Sequence, residues 1–183
     1  METFTEIKPF VNNPYYQKQR ERALRSLDIN KIDPPIRELI EGFNDIQYCF
    51  TMQCCFGHFV HEYQNDERNI EPISSFHNVK EIKYRIAYVA LCIENSNQGK
   101  QLFQDLKTLT SIDPDYVQFG CAGWFWKRQV NLYALQVEPD RYKTKDEAFI
   151  GIQEGLHVEK IRDEFFRQLQ RIILNRNRED KPE

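Results

Sequence analysis

The chain has 183 residues, a net charge of −3 at pH 7, 40% hydrophobic residues and 29% charged residues. This composition excludes a disordered chain, and the length predicts one domain that can bury a core without disulfides or metal ions. No run approaches the roughly 18–20 apolar residues that span a membrane, and the first ten residues lack the apolar segment of a signal peptide. The five cysteines, an odd number, are expected to be reduced thiols. We therefore expect a cytoplasmic protein with no membrane partner.

Two helices are predicted before the first strand. Residues 15–27 carry a short apolar stripe, with basic residues on the wetter positions. The second helix covers about 35–46, with Asp33 as its N-cap and Pro34-Pro35 at its first turn. Its core face is marked by apolar residues at helical spacing, namely Ile36, Leu39, Ile40, Phe43 and Ile46.

Three apolar runs in the middle of the chain predict strands. Tyr48–Cys55 is a buried strand, and a tight turn at Phe56-Gly57 leads to Phe59–Tyr63 as the returning strand of a hairpin. Tyr84–Glu94 is apolar on both faces, so it is expected to be a central strand covered on both sides. Its residues predicted to be buried are Ile86, Tyr88, Val89 and Leu91.

The second half of the chain predicts further helices and strands. A helix over 98–109, capped by Asn95 or Ser96, precedes strands at 116–121 and 124–137. A capping box at 144–147 predicts a short helix that ends at Gly155. A long C-terminal helix follows from the spacing of Ile161, Phe165, Leu169 and Ile172.

These elements predict an α/β (α+β) fold. A single domain over residues 1–175 contains a mixed, mostly buried sheet flanked by helices. Residues 176–183 form a charged C-terminal tail that is expected to fray into solvent.

The densest chemistry lies between Cys49 and His61. Cys55 and His58 have a C-x-x-H spacing suited to zinc. His58 and His61, however, fall on opposite faces of a strand, so they are not expected to bind the same ion. We therefore assign no metal site, and whether Cys54, Cys55, His58 and His61 bind a metal stays open. A Cys55 thiolate activated by His58 is a second hypothesis, although no third orienting group can be named. These interpretations leave the catalytic residues unassigned.

A ligand-binding turn is the third hypothesis for the same segment. Gly57 exposes backbone N–H groups at the end of a strand, where ligands of α/β sheets gather, and His58 adds positive charge. The purely structural alternative is a buried strand, a tight turn at Gly57 and histidines on the surface.

Residues 36–58 resemble the N-terminal part of the tRNA wybutosine-synthesizing methyltransferase family, which acts on the tricyclic guanosine base of phenylalanine tRNA. In that family a helix leads to a strand whose Thr/Ser-rich end closes with Ser-Cys-Ser-Gly-Arg. Thr51, Cys55 and Gly57 keep this pattern, whereas Cys54 and Phe56 replace serines and His58 replaces arginine. The replacements remove hydroxyl donors and exchange a permanent cation for a pH-dependent one. The resemblance implies S-adenosylmethionine as cofactor and tRNA as substrate, and it favours a shared fold more than a shared reaction.

A second candidate surface follows the small-residue turn at 120–123. This turn suits either close backbone approach to a ligand or a tight hairpin. Trp124, Trp126 and Arg128 share one face of the predicted strand and with Lys127 could stack RNA bases; the alternative packs the tryptophans under a helix.

The predicted function is methyl transfer to an RNA base, and the alternative is a non-catalytic domain that binds a small ligand or a protein. The two are distinguished by whether Cys55, His58 and an arginine, such as Arg85 or Arg128, converge on one concave site. The predicted ligand-binding residues are Thr51, Cys54, Cys55, Gly57, His58, Gly120, Gly123 and Trp124. The predicted RNA-binding residues are Lys127 and Arg128.

Overall fold

The computed structural model describes residues 6–64, 66–139 and 147–179, and these ranges contain five α-helices and seven strands. The helices are α1 (Tyr16–Ser26), α2 (Arg37–Asp45), α3 (Asn97–Thr108), α4 (Gly123–Arg128) and α5 (Ile152–Glu179). The strands are β1 (Cys49–Cys55), β2 (His58–Val60), β3 (Glu81–Arg85), β4 (Ala87–Ile93), β5 (Val117–Gly120), β6 (Leu132–Val137) and β7 (Glu147–Gly151). Among the described helices, none has the length and hydrophobicity needed to cross a bilayer.

The predicted α/β class is confirmed, but the strands form two antiparallel sheets rather than one mixed sheet. One sheet has the order β1-β4-β6-β5, and the other has the order β2-β3-β7. Every neighbouring pair in both sheets is antiparallel. The β1 strand, the helices α1 to α3 and the β5 strand lie close to their predicted positions.

The predicted strand 84–94 is divided at Ile86 between the two sheets. Its second part, β4, is central in the four-stranded sheet, as expected, and its first part ends β3 of the other sheet. The Tyr84 hydroxyl joins the two parts, because it accepts from the Ala87 N–H at 2.9 Å and donates to the Val137 carbonyl at 2.8 Å. Ile86, Val89 and Leu91 are buried as predicted, whereas Tyr88 is only half-buried.

The predicted hairpin between β1 and β2 is wrong. β2 pairs with β3, so the chain leaves the first sheet after Cys55 and enters the second sheet at His58. Gly57 allows this crossing because its φ is +89°, in the left-handed region that favours glycine. A β-carbon at Gly57 would lie 2.7 Å from the Ala87 β-carbon, so the two chain crossings pack directly against each other.

Helices pack on both faces of the four-stranded sheet, which explains its apolar strands. The main core joins one face to α2, α3 and α5, through residues such as Phe43, Leu106 and Phe165. A smaller cluster on β1, β4 and β6 packs against Tyr16 of α1, with Phe125 of α4 at its margin. On this second side, α1 and α4 leave a groove against the sheet.

The predicted strand 124–137 is wrong in its first half, which forms the helix α4. Asn131, the last residue before β6, has a φ of +59°. Its side-chain oxygen accepts from the Val11 N–H, and its side-chain NH₂ donates to the Val11 carbonyl, both at 2.9 Å. This long-range contact fixes a left-handed residue where the sequence suggests continuous extension. Trp124, Trp126 and Arg128 therefore do not alternate along a strand.

The C-terminal region also differs from the prediction. Residues 144–146 of the proposed capping box lie outside the described residues, and Glu147 begins β7, which pairs with β3, instead of a helix. The long helix is confirmed as α5, but it continues to Glu179 and so extends into the predicted tail. Arg176 pairs with Asp105 of α3, which holds this last part of the helix against the domain.

Candidate functional site

A groove of about 1290 Å³ lies on the side of the four-stranded sheet that α1 and α4 cover only in part. Its lining comes from these helices, from β1, β4 and β6, and from the segment that follows α1. The predicted site residues found in the lining are Thr51, Cys54, Cys55, His58, Trp124 and Arg128. Arg85 of β3 also lines it, so Cys55, His58, Arg85 and Arg128 share one concave surface.

Four predicted site residues lie outside this lining. Gly120 is buried on β5, where it pairs with Ala134, and Gly123 begins α4. Lys127 lies on α4 but does not line the groove. The backbone groups of Gly57 serve the turn itself, since its N–H donates to the Cys55 sulfur at 3.4 Å and its carbonyl accepts from Arg162 at 3.1 Å. The expectation of exposed backbone donors at Gly57 is therefore wrong.

His58 is a buried residue, contrary to the surface position that the structural alternative assigned to it. Its side chain is 2% exposed, and its Nε2 lies 3.2 Å from Asp33 Oδ2. Its Nδ1 lies 3.2 Å from the carbonyl oxygen of Asn69. Because a carbonyl can only accept, Nδ1 carries a hydrogen and donates to Asn69. The other ring nitrogen, Nε2, faces the carboxylate.

Asp33 lies at the predicted N-cap position before Pro34-Pro35, but its side chain binds the 55–58 turn and not the N–H groups of the helix. The Phe56 N–H donates to Asp33 Oδ2 at 2.9 Å, and no side-chain cap joins Asp33 to the turn at Pro34–Ile36. The side-chain cap expected of Asp33 is absent because N-cap preference is a local signal, whereas the side-chain partner of Asp33, His58, lies 25 positions away along the chain. No local pattern indicates this pairing.

The electrostatics of this pair favour an ion pair. Burial by itself lowers the pKa of His58, but hydrogen bonds with Asp33 and Cys55 outweigh it and raise the pKa to about 10. Burial by itself raises the pKa of Asp33, but hydrogen bonds from His58 and from the Phe56 N–H lower it overall. Burial, together with the nearby Asp33 and Cys55, raises the pKa of Cys54 to about 12, so Cys54 is a thiol at neutral pH.

Asp33, Cys55 and His58 form the cluster that offers metal-ligand atoms among the described residues. One ligand atom from each side chain lies within 4.8 Å of the other two. His61 takes no part in it, since its ring packs edge-on against Phe76 at 4.7 Å between centroids. Asp33 is thus the third group beside Cys55 and His58, and it has no signal in the sequence around them.

Arg162 supports the turn from the opposite side. This α5 residue is buried, and its guanidinium lies 4.1 Å from the centroid of the Phe56 ring and 5.0 Å from that of Phe59. It also pairs with Asp163 at 2.8 Å and donates to the Gly57 carbonyl. Residues 56–59 are thus held by a cation that lies 105 positions from Gly57 in the sequence.

The two tryptophans of α4 point to different surroundings. Trp124 is 41% exposed, lines the groove and stacks on Phe125 with 3.6 Å between ring centroids, while the Arg128 guanidinium lies 5.4 Å from its ring. Trp126 packs instead against Tyr133, with 5.6 Å between centroids. The expected pairing of both tryptophans on one surface is wrong, because a helical turn separates side chains that a strand would align.

The chain matches no protein-family profile and no curated protein. Among solved structures it is similar to that of the PH1069 protein from Pyrococcus horikoshii OT3, with a TM-score of 0.53 and 12% identity over 95% of this chain and 100% of that chain. A further structure of PH1069 has a TM-score of 0.48 and 14% identity over 88% and 94% of the chains. A hypothetical protein from Aeropyrum pernix gives 0.42 and 8% identity over 77% and 97%. At these identities, the PH1069 OT3 structure supports a shared fold and nothing about activity.

Proposed function

We propose that the groove binds RNA and S-adenosylmethionine, and that the protein transfers a methyl group to an RNA base, with tRNA as its substrate. The observation that carries this proposal is that Cys55, His58, Arg85 and Arg128 line one groove. The resemblance of residues 36–58 to the wybutosine-type methyltransferases supplies the reaction and the cofactor.

The size and chemistry of the groove support an RNA ligand. Its volume of about 1290 Å³ exceeds the roughly 300–1,000 Å³ of typical small-molecule sites. Trp124 and Phe125 offer a partly exposed aromatic surface next to Arg128, and aromatic side chains with arginine stack unpaired bases. Arg22 of α1 and Lys31 also line the groove and are suited to phosphate groups.

Methyl transfer needs positioning more than acid–base chemistry. A protein accelerates such a step mainly by holding donor and acceptor in line, so a catalytic triad is not required. S-adenosylmethionine supplies an activated methyl group when bound. The lining fits its polar parts, since Arg68 and Arg85 offer guanidinium groups for its carboxylate, and Gln53 offers a side-chain amide.

A non-catalytic binding domain is the second candidate. Asp33 and His58 pair with each other at 3.2 Å, and the thiol of Cys54 has a raised pKa because it is buried. These three groups are therefore poor general bases. The same groove would then bind a small ligand or a protein without chemistry.

We also infer a cytoplasmic location. None of the five cysteines, Cys49, Cys54, Cys55, Cys92 and Cys121, forms a disulfide. Reduced cysteines in this number are typical of a reducing compartment.

Calorimetric titration of the protein with S-adenosylmethionine and with an unmodified tRNA tests the proposal, followed by an assay of methyl incorporation into the tRNA. Trp124→Ala and Arg128→Ala are each expected to weaken tRNA binding about 5- to 150-fold, because base stacking contributes about 1–3 kcal/mol per base. The control is Arg171→Ala, which removes an exposed cation from α5. Binding of tRNA without methyl incorporation would refute methyl transfer, and absence of tRNA binding would refute the RNA proposal.

A further inference from the structure

The Asp33–Cys55–His58 cluster is built from three different segments that meet at the groove. Asp33 precedes the turn at Pro34–Ile36, Cys55 ends β1 and His58 begins β2. Their ligand atoms lie within 4.8 Å of one another, and all three residues line the groove. Carboxylate, thiolate and imidazole groups are all ligand types that bind Zn²⁺ in proteins.

The orientation of the His58 ring allows a metal ion at Nε2, where it would replace the proton of the ion pair with Asp33. Since Nδ1 donates to the Asn69 carbonyl, the neutral ring has its lone pair on Nε2, which faces Asp33 Oδ2 at 3.2 Å. Two electron-rich atoms at this distance need a positive species between or beside them, either a proton or a metal ion. Metal-binding histidines usually donate their other N–H to a carbonyl or carboxylate, as His58 does.

The other two ligand atoms are held in the same way. Asp33 Oδ2 accepts from the Phe56 N–H at 2.9 Å, and the Cys55 sulfur accepts from the Gly57 N–H at 3.4 Å. Hydrogen bonds of this kind orient metal ligands before the metal binds. The turn 55–58 therefore supplies the ligands Cys55 and His58. Its backbone N–H groups orient Asp33 and Cys55.

The spacing suits zinc with small side-chain adjustments. Bonds of about 2.0–2.2 Å to nitrogen and oxygen and about 2.3 Å to sulfur place tetrahedral donor atoms about 3.3–3.7 Å apart. The His58–Asp33 separation of 3.2 Å is already close to this value, and the other pairs lie within 4.8 Å. One carboxylate and one thiolate also balance the double positive charge.

We propose that Asp33, Cys55 and His58 bind one Zn²⁺ ion whose fourth position opens into the groove. Three protein ligands with an open fourth position are typical of zinc sites that bind water or substrate. In this protein the fourth ligand is water or an anionic group of the molecule in the groove. The site does not depend on methyl transfer or on RNA binding.

Metal titration of the chelator-treated full chain tests this proposal. We expect one Zn²⁺ per chain, and Co²⁺ in the same site should give the intense thiolate-to-metal charge-transfer absorption that reports a cysteine ligand. Cys55→Ser should abolish this absorption and reduce Zn²⁺ affinity by more than the roughly 10–100-fold caused by loss of a supporting residue. Cys54→Ser is the matched control, because the neighbouring thiol also lines the groove but lies outside the cluster.

A measurement on the unaltered protein covers the case in which Cys55→Ser fails to fold. Zn²⁺ should protect Cys55 from alkylation, as read by mass spectrometry of the peptides, and removal of the metal should restore its modification. Three results would each overturn the site: no stoichiometric Zn²⁺ binding, equal loss of the cobalt absorption in the two serine variants, or no protection of Cys55. None of these readouts involves RNA or S-adenosylmethionine, so they leave the proposed function separately testable.

Discussion

Replacement of Gly57 by alanine should destabilise the protein because two independent constraints act on that position. Gly57 has φ +89°, and a left-handed conformation costs a residue with a β-carbon roughly 1–2 kcal/mol. The added β-carbon would also lie 2.7 Å from the Ala87 β-carbon and 3.1 Å from the Ala87 backbone nitrogen and Cα.

The neighbour cannot move aside cheaply. Ala87 begins the central strand β4, and its N–H is bound by the Tyr84 hydroxyl. Such overpacking costs roughly 1–3 kcal/mol. We therefore expect Gly57→Ala to lower the free energy of unfolding by about 2–5 kcal/mol in total.

Urea denaturation followed by far-ultraviolet circular dichroism measures this loss. Gly123→Ala is the matched control, because Gly123 begins a helix and a β-carbon there meets no atom within 4 Å. Alanine at such a position should leave stability unchanged or raise it by up to about 1 kcal/mol. A loss below about 1 kcal/mol for Gly57→Ala would refute the argument from φ and from contact with Ala87.

Three further predictions test the supports of the site and the cysteine assignment. Arg162→Met should lower the free energy of unfolding by about 1–3 kcal/mol, because the buried Gly57 carbonyl loses its donor. The control, Arg171→Met at an exposed position, should change the free energy of unfolding by less than about 0.5 kcal/mol, and thermal denaturation compares the two variants. Tyr84→Phe should cost about 1–3 kcal/mol in urea denaturation, since it leaves the Ala87 N–H and the Val137 carbonyl without this partner, and an unchanged midpoint would contradict that role. Thiol titration of the denatured, unreduced protein should return five thiols, and a clear deficit would contradict the assignment of reduced cysteines. In the native protein Cys92 should react slowly, because burial raises its pKa to about 12; a rapid reaction of Cys92 would contradict its burial.

The candidate site was predicted in part because its cysteines and histidines are close in sequence. Cys55 and His58 are three positions apart, and any turn between them keeps their side chains near each other. Asp33, Asn69 and Arg162 were not predicted, because each reaches the turn from a distant segment. Hydrogen bonds and ion pairs of this kind leave no periodic pattern in a sequence.

Local periodicity determined most of the individual elements. The apolar spacing in α2, α3 and α5 and the apolar run of β4 predict these elements correctly, because burial of one face or of both faces requires a matching pattern. The Ser96 cap is also local, since its hydroxyl accepts from the Gly99 N–H at 3.1 Å.

Only the tertiary structure decided how the elements combine. The apolar pattern of a strand does not indicate which other strand it pairs with. Distant partners therefore decide that residues 84–94 divide between two sheets and that β2 pairs with β3. The aromatic segment after Gly123 has strand-like composition, yet it folds as α4 because composition is a weak preference that tertiary contacts override. The contact of Asn131 with Val11 lies just after α4, and within this helix Trp124 lines the groove while Trp126 packs against Tyr133.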